Sequence, residues 1–359
     1  MPLLNPRLPA AEPALTGRLR ALRHETVFAL TRVLDALSAS TPEQDPTERE
    51  SPASIEAALH VDSLQAALEF GDVEAYAESL AWLERFQRGS ANAAERILAS
   101  LHSLTVLLLD RLDEREGAVV ARYLAAAWDT YAELRTSPAA TLETPRPWPE
   151  VEQFESALLA GDVRAALATL DETLNRGASL VDFEVHVIQP ALYRVGERWQ
   201  CAGISVAQEH LASAIAQSVM AQGLLRHAPN GLPGQRVLLA CVKGNRHSLG
   251  LRIVADALQL AGAEVQFLGG DVPSASLVQQ VRTWRPEVLG LSVMFPQHLQ
   301  TARRLVQRIR EEMSSSAPKA LLGGLGVPLF PSLTRRVGAD FVCRDAKEAV
   351  AVVAGAAAG

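Results

Sequence analysis

The spacing of apolar residues divides this chain into three segments. Residues 14–37 and 54–134 place apolar side chains three and four positions apart, which predicts about five amphipathic helices. Residues 150–228 repeat this spacing, with short glycine-containing turns between the helices, as in a small antiparallel bundle. Residues 38–54 and 135–150 are rich in proline and polar residues, so helices should end there.

The pattern changes at residue 235, where short, continuously apolar runs begin to alternate with helical segments. Helices are predicted at 248–261, 274–284, 297–312 and 329–337. Apolar strands that alternate with helices indicate a parallel, doubly wound sheet covered by helices on both faces. The predicted fold class is α plus α/β. It comprises a helical, globin-like domain over 1–148, a helical bundle over 149–228, and a Rossmann-like (flavodoxin-like) domain over 235–359.

Composition excludes some classes of function. The 359 residues carry a formal net charge of -7, which offers no basic surface, so we expect no direct contact with nucleic acid. Three widely spaced cysteines match neither a disulfide framework nor a zinc site. No signal peptide is recognisable, and no apolar run reaches the roughly 18 residues that cross a bilayer. These features predict a cytoplasmic protein without membrane contact.

The candidate chemistry lies where the strands of the predicted sheet end, because ligands of such sheets bind beyond the carboxyl ends of the strands. His247 follows the first strand, two residues after Asn245, whose side chain is suited to hold the imidazole. A histidine that caps the next helix would also explain His247 alone. Small residues at the other strand ends would leave a deep slot, although tight turns would explain any single glycine. These residues are Gly270, Ser292, Gly323 and Gly324.

Residues 235–355 resemble the cobalamin-binding domain shared by methionine synthase and the cobalamin mutases. The matching motifs are Asn245-x-His247-x-x-Gly250, Ser292-x-Met294 and Gly323-Gly324. In that family the histidine is the lower ligand of cobalt, and the other motifs line a slot for the displaced nucleotide tail. The resemblance implies that His247 binds cobalt. It also implies that the cofactor is contacted by Asn245, Arg246, Ser248, Gly250, Gly270, Val272, Ser292, Met294, Gly323 and Gly324.

Two positions depart from the family pattern. Asn245 replaces an aspartate, so the partner of the histidine is neutral and should polarise the imidazole less. Met294 replaces a leucine, a change that conserves side-chain volume. Neither departure removes His247 as the expected cobalt ligand.

Trp199 is followed after nine residues by Glu209-His210, which resembles the signature of the CarH-type light-sensing cobalamin proteins. There the tryptophan covers the adenosyl group of adenosylcobalamin, and the Glu-His pair adds polar contacts beside it. A core tryptophan followed by an exposed helix start would be the alternative explanation. In the CarH type a histidine directly after the tryptophan can bind cobalt once light has acted. Gln200 stands at that position, which leaves water or His210 as the upper ligand.

Residues 14–134 show no helix-turn-helix, and their arrangement resembles that of the photocobilins, in which a globin-like domain holds biliverdin. Residues 1–134 contain no cysteine, so biliverdin would be held without a covalent thioether. Core packing and an exposed helix face would also account for most residues of the expected pocket. That pocket would use aromatic walls, a polar group and two arginines: Trp82, Phe86, Tyr123, Trp128, Tyr131, His102, Arg85 and Arg122.

The sequence thus predicts a photoreceptor rather than an enzyme. It would bind adenosylcobalamin, with biliverdin as a second chromophore, and change conformation or oligomeric state when light breaks the cobalt–carbon bond. A homo-oligomer and a downstream signalling protein are the expected partners. The alternative is a corrinoid methyl carrier of a methyltransferase system, which would need an open upper face. A mutase subunit would need a substrate barrel, for which this chain is too short.

Overall fold

The protein is described by a computed structural model over residues 8–37, 52–86, 93–136, 146–201, 203–227 and 234–356. The chain forms two compact units. The first comprises Met1–Thr141, Phe295–Arg303 and Pro328–Val337, and the second comprises Leu142–Met294, Arg304–Val327 and Gly338–Gly359. The domain limits expected near residue 148 and at 228–235 stay predictions.

The described part of residues 8–136 folds into helices around an apolar core. The second helix ends at Gly71, whose backbone is left-handed (φ 65°) and where a Cβ atom would lie 2.7 Å from Ala10 N. Asp72 then caps the third helix, because its Oδ1 accepts the Ala75 N–H at 3.2 Å. The helices are α1 (Pro13–Leu37), α2 (Pro52–Phe70), α3 (Val73–Phe86), α4 (Ala93–Arg111) and α5 (Glu114–Thr136).

The first part of the second unit is a helical bundle with a shared apolar core. Gly161 ends its first helix in a left-handed conformation (φ 71°), and Asp162 caps the next through the Ala165 N–H. The bundle consists of α6 (Glu150–Ala160), α7 (Val163–Asn175), α8 (Leu180–Phe183), a π-helical turn (Glu184–Ile188), α9 (Gln189–Gln200) and α10 (Val206–His227).

The π-helical turn joins α8 to α9, so that one helical rod runs from Leu180 to Gln200. Pro190 follows this turn and has no N–H to give to the carbonyl of His186, four residues earlier. That carbonyl accepts the Trp148 N–H instead, at 3.1 Å. The proline thus explains why the segment before α6 attaches at this point of the rod.

The remainder of the second unit is built on a five-stranded parallel sheet with strand order β2-β1-β3-β4-β5. The central strand β3 is buried along its whole length, as its continuous apolar sequence predicts. The elements of residues 234–356 are β1 (Arg236–Cys241), α11 (Leu249–Leu260), β2 (Glu264–Phe267), α12 (Ser274–Trp284), β3 (Val288–Ser292), α13 (Pro296–Met313), β4 (Lys319–Gly323), α14 (Gly326–Leu329), α15 (Pro331–Val337), β5 (Phe341–Val342) and α16 (Ala346–Ala356). Of these, α15 and parts of α13 and α14 are assigned to the first unit. This order confirms the predicted doubly wound, flavodoxin-like sheet.

Candidate cofactor site

The strand order reverses direction between β1 and β3, and this switch point is where open α/β sheets bind their ligands. Cys241 at the end of β1 pairs with Ser292 at the end of β3, and Ser292 in turn pairs with Gly323 at the end of β4. Three strand ends therefore open on the same side of the sheet. Ser292 and Gly323 are the last residues of β3 and β4, whereas the loops after the strands carry Asn245, Arg246, His247, Ser248, Gly270, Val272, Met294 and Gly324.

The loop after β1 carries His247 and is held by a neighbouring loop. Gly244 has a positive φ (90°), and its N–H donates to Asp271 Oδ1 at 2.7 Å. The Asp271 N–H donates in return to the carbonyl of Asn245 at 2.7 Å. These two bonds cross-link the loops that follow β1 and β2. His247 itself is exposed, so its imidazole is available to a ligand.

Asn245 supports His247 in a different way from the one its spacing suggested. Its amide is 1% exposed, and Oδ1 accepts the backbone N–H of His247 at 3.1 Å rather than a proton of the ring. Nδ2 donates to the carbonyl of Ser292 at 3.0 Å. A short amide side chain readily bonds the backbone two residues later, which explains this geometry. Asn245 thus shapes the loop and ties it to β3.

The surroundings of His247 favour the neutral form of its imidazole. The surrounding protein disfavours its charged form and lowers its pKa, while the Glu209 carboxylate offsets part of this effect. A neutral imidazole is the form that binds metals. The influence of Glu209 also means that the start of α10 lies within electrostatic reach of the loop after β1.

The turns after β3 and β4 pack closely against each other next to this loop. Gly324 has a φ of 96°, and a Cβ atom there would lie 2.4 Å from the Val293 carbonyl oxygen and 2.9 Å from Ser292 Oγ. At Gly326 a Cβ atom would lie 2.9 Å from the carbonyl carbon of Met294. Only glycine allows these backbones to approach so closely. Ser292 and Gly323 pair with each other as the last residues of the two strands.

The other predicted contact residues of the sheet domain lie around the same loops. Gly270 packs against the backbone of Arg246, where a Cβ atom would lie 3.1 Å from the carbonyl oxygen. Val272 is buried and pairs with Val242 next to β1. Ser248 and Gly250 stand at the start of α11, where the Ser248 carbonyl accepts the Arg252 N–H.

The Trp-x9-Glu-His signature spans the turn between α9 and α10. Trp199 is half-buried near the end of α9, and Glu209 is half-buried in the first turn of α10. The Glu209 carboxylate contacts His210 Nδ1 at 2.5 Å and accepts the Ser213 hydroxyl at 2.8 Å. His210 is exposed, and the side chain of Gln200 lies outside the described residues. The signature residues therefore gather at one end of the bundle.

Two residues of the site escaped sequence reasoning. Asp271 cross-links the two loops, although its position directly after a Gly-Gly pair at a strand end was a usable signal. Cys241 is buried, its thiol lies 3.5 Å from the His247 carbonyl, and burial raises its pKa to about 11. Burial of Cys241 was predictable from the strand, but its contact with the His247 loop was not.

The residues expected to hold biliverdin differ in burial and in their hydrogen-bond partners. Tyr123 and Tyr131 are buried, and their hydroxyls already donate to the Pro9 carbonyl (2.7 Å) and to Glu84 Oε2 (2.9 Å). His60, which the sequence analysis did not select, is a buried histidine of this domain; burial lowers its pKa to about 4. The side chain of Phe86 lies outside the described residues. The other expected residues are half-buried (Trp82, Arg85, Trp128) or exposed (His102, Arg122).

Two family models agree with this arrangement. One model of a B12 binding domain matches residues 235–354, and a second B12 binding domain model matches residues 150–222. The second unit is a B12-binding module. Among the described residues, no group of three or more His, Cys, Asp or Glu side chains could hold a bare metal ion. A single imidazole suits a cobalt that the corrin ring already binds.

Known proteins share parts of this module. The HTH-type transcriptional repressor CarH of Myxococcus xanthus is 32% identical over 174 residues, covering 47% of this chain and 57% of the repressor. The HTH-type transcriptional repressor CarA of the same organism is 27% identical over 248 residues, covering 67% and 77%. Dimethylamine corrinoid protein 2 of Methanosarcina mazei is 34% identical over 110 residues, covering 31% and 50%. The resemblance to CarH-type cobalamin-binding proteins is thus confirmed.

These relatives also bear on the expected partners. The chain spans little more than half the length of CarH. CarH and CarA are named transcriptional repressors, which conflicts in part with our expectation of no direct contact with nucleic acid. That expectation stays a prediction. Within the described part of the chain, no helix is long and apolar enough to cross a membrane.

Proposed function

We propose that this chain is a light-responsive regulator that holds adenosylcobalamin between the loop of His247 and the end of the bundle that carries Trp199. The observation that carries the proposal is the electrostatic proximity of Glu209 to His247. It brings the start of α10 and the loop after β1, which are separated in sequence, to one site. Adenosylcobalamin would supply a light-sensitive cobalt–carbon bond there.

Each part of the site would contribute a distinct contact. His247 would give the neutral imidazole nitrogen to the lower face of cobalt, on a loop that Asn245 and Asp271 hold in place. The nucleotide tail would lie beside the ends of β3 and β4, where Ser292, Gly323 and Gly324 match the motifs of the cobalamin-binding family. Trp199 would cover the adenosyl group, with Glu209 and His210 beside it.

The response would come from the bundle. Trp199 and Glu209 stand at the ends of two helices, so loss of the group that they cover would change the packing of both helix ends. A ligand can shift a conformational equilibrium only through contacts that differ between the two states. The covering tryptophan offers such a contact, and a change in the homo-oligomer is the proposed output, read by a downstream signalling protein.

Illumination of the loaded chain tests this proposal. Full-length protein bound to adenosylcobalamin in the dark should change its visible spectrum and its size in solution under green light. His247→Ala should lose the spectrum of the histidine-ligated cofactor. Trp199→Ala should weaken retention of the adenosyl form, whereas Trp148→Ala, which removes a tryptophan stacked on His186 elsewhere in the bundle, should not. An unchanged spectrum and size after illumination would reject the proposal.

A corrinoid methyl carrier is the second candidate. It is supported by the 34% identity to Dimethylamine corrinoid protein 2 over 110 residues. A carrier must leave the upper face of cobalt open to a methyltransferase, whereas Trp199 and Glu209 would restrict it. Preferential binding of methylcobalamin, with methyl transfer to a corrinoid-dependent methyltransferase, would favour the carrier.

Biliverdin is proposed as an additional chromophore of the first unit on the strength of the domain order. The exposed positions of His102 and Arg122 do not add to this support. Purification in the presence of biliverdin decides the matter: a red-absorbing band that survives gel filtration supports binding, and its absence removes biliverdin from the proposal.

A further inference from the structure

Two carboxyl groups are buried against each other where the bundle packs on the sheet domain. Glu184 lies in the π-helical turn and Asp256 lies in α11, and both residues are 0% exposed. The two carboxyl groups are within hydrogen-bonding reach of each other. Ionised carboxylates only accept hydrogen bonds, and two buried negative charges repel, so this contact calls for a proton between them.

The surrounding donors indicate which group carries the proton. Arg252, one turn before Asp256, donates from Nε to Asp256 Oδ1 at 2.6 Å. In the described part of the chain, no N–H or O–H group donates to either oxygen of Glu184 or to Asp256 Oδ2. Burial raises the pKa of Asp256, and Arg252 offsets part of this effect. Burial, followed by the proximity of Asp256, raises the pKa of Glu184 far above its ordinary value. Glu184, to which no cation donates within the described residues, is therefore the partner that holds the proton.

Other charged groups on the elements packed around Glu184 have partners of their own. The buried faces of α7 and α10 are uncharged. Elsewhere, Glu155 of α6 pairs with Arg194 and Arg198 of α9, Asp182 of α8 pairs with Lys347 of α16, and His186 Nδ1 contacts the Arg146 carbonyl. Arg252 and Asp256 of α11 are thus the charged groups that face Glu184.

The position of the pair connects the two walls of the candidate cofactor site. Glu184 and Trp199 lie on the same helical rod, which runs from Leu180 to Gln200. Asp256 lies on α11, which begins two residues after His247. Any movement of the rod away from α11 would separate the two carboxyl groups and let water ionise Glu184. Short π-helical turns frequently occur at functional positions of helices.

We propose that Glu184 and Asp256 share one proton and act as a proton-dependent latch between the bundle and α11. The closed latch binds the proton, and the open latch releases it. Closure is therefore favoured fully below the ordinary pKa of glutamate and weakens as the pH rises. Between the ordinary pKa of glutamate, which applies to the open latch, and the raised pKa of Glu184 in the closed latch, the ratio of closed to open protein should fall about tenfold for each pH unit. The latch requires neither light nor a particular cobalamin.

Infrared spectroscopy tests the shared proton on the full chain in the dark. At about pH 8, where an ordinary glutamate is ionised, the wild-type protein should show the carbonyl band of a protonated carboxyl group. Glu184→Gln should remove the part of this band that belongs to Glu184, whereas the remainder comes from Glu78, whose pKa burial raises to about 8. An undiminished band in Glu184→Gln would also overturn the proposal. Glu155→Gln, which changes an equally buried carboxylate between two arginines, should leave it intact. A wild-type protein without the band overturns the proposal, whether or not any variant folds.

Hydrogen exchange measured against pH tests the latch itself. After correction for the intrinsic exchange rate, opening of residues 184–188 and 249–260 should increase with pH in the wild type and in Glu155→Gln. It should be nearly independent of pH in Glu184→Gln, because the neutral amide has no proton to release. Equal pH dependence in the wild type and Glu184→Gln would overturn the latch. A failed light response would leave these results unaffected, since the measurements are made in the dark.

Discussion

At the scale of single residues, the candidate site depends on backbone conformations that side chains then hold. Gly244, Asp271 and Gly324 all have positive φ, which places three tight turns around one opening of the sheet. Asn245 and Asp271 bond to backbone atoms of the loop that presents His247. Within the described residues, the hydrogen bonds of His247 are made by its backbone, so its loop positions the imidazole.

Gly324→Ala should lower the free energy of unfolding by about 1–3 kcal/mol and weaken cobalamin binding. The new methyl group would lie 2.4 Å from the Val293 carbonyl oxygen, at a backbone φ that alanine rarely adopts. Gly355→Ala in α16 is the matched control, because a Cβ atom there meets nothing within 4 Å and the residue lies outside the candidate site. Urea unfolding and a cobalamin titration measure both effects. Equal stability of the two variants would contradict the close approach at Gly324.

At the scale of elements, the bundle is organised by helix ends. Gly161 and Asp162 end one helix and start the next, and Ser179 starts α8 by accepting the Asp182 N–H. Pro190 frees the His186 carbonyl for Trp148. These local signals determine where the rod that carries Glu184 and Trp199 begins and where its helical pattern changes.

Asp162→Ala should destabilise the bundle by about 1 kcal/mol, because the Ala165 N–H would lose its acceptor at 3.0 Å. Asp162→Asn keeps an oxygen at the same position and should cost little, since asparagine is as good a cap as aspartate. Thermal unfolding of the three proteins provides the measurement. If the asparagine variant loses as much stability as the alanine variant, the cap does not act through this hydrogen bond.

At the scale of the whole molecule, all the residues of the candidate cobalamin site belong to the second unit. A ligand that binds only the folded state stabilises it in proportion to the logarithm of its free concentration. The bundle and the sheet domain share one apolar core, which includes Ile253 and Ala257 of α11. Binding of cobalamin at the site should therefore stabilise both the bundle and the sheet domain.

Cobalamin at about 100 times its dissociation constant should stabilise the second unit by about 2.7 kcal/mol. Hydrogen exchange should slow in β1, α11 and α10 of the wild type. His247→Ala should show a smaller effect at the same concentration, because it lacks the proposed cobalt ligand. Slower hydrogen exchange in the first unit alone would indicate that cobalamin binds outside the candidate site.

Local patterns in the sequence were sufficient to predict most helices and strands and to select the candidate cobalamin site. Helical and strand periodicity depends on near neighbours, so the parallel sheet and most helices could be predicted from it. The short helix α14, the last helix α16 and the π-helical turn between α8 and α9 were not predicted. The position of His247 after a buried strand, and the small residues at neighbouring strand ends, led to the cobalamin-binding domain. The Trp-x9-Glu-His spacing led to the bundle, because both ends of that signature lie beside one turn.

Contacts between distant residues were decided only by the tertiary structure. Packing turned the Asn245 amide toward the backbone and Ser292, and it brought Asp271 to the loop of His247. It left His102 on the surface and buried His60 instead. The Glu184–Asp256 pair joins residues far apart in the chain, and each looks by itself like an ordinary surface carboxylate. Burial creates their shared proton, because desolvation acts only after the bundle and α11 have packed together.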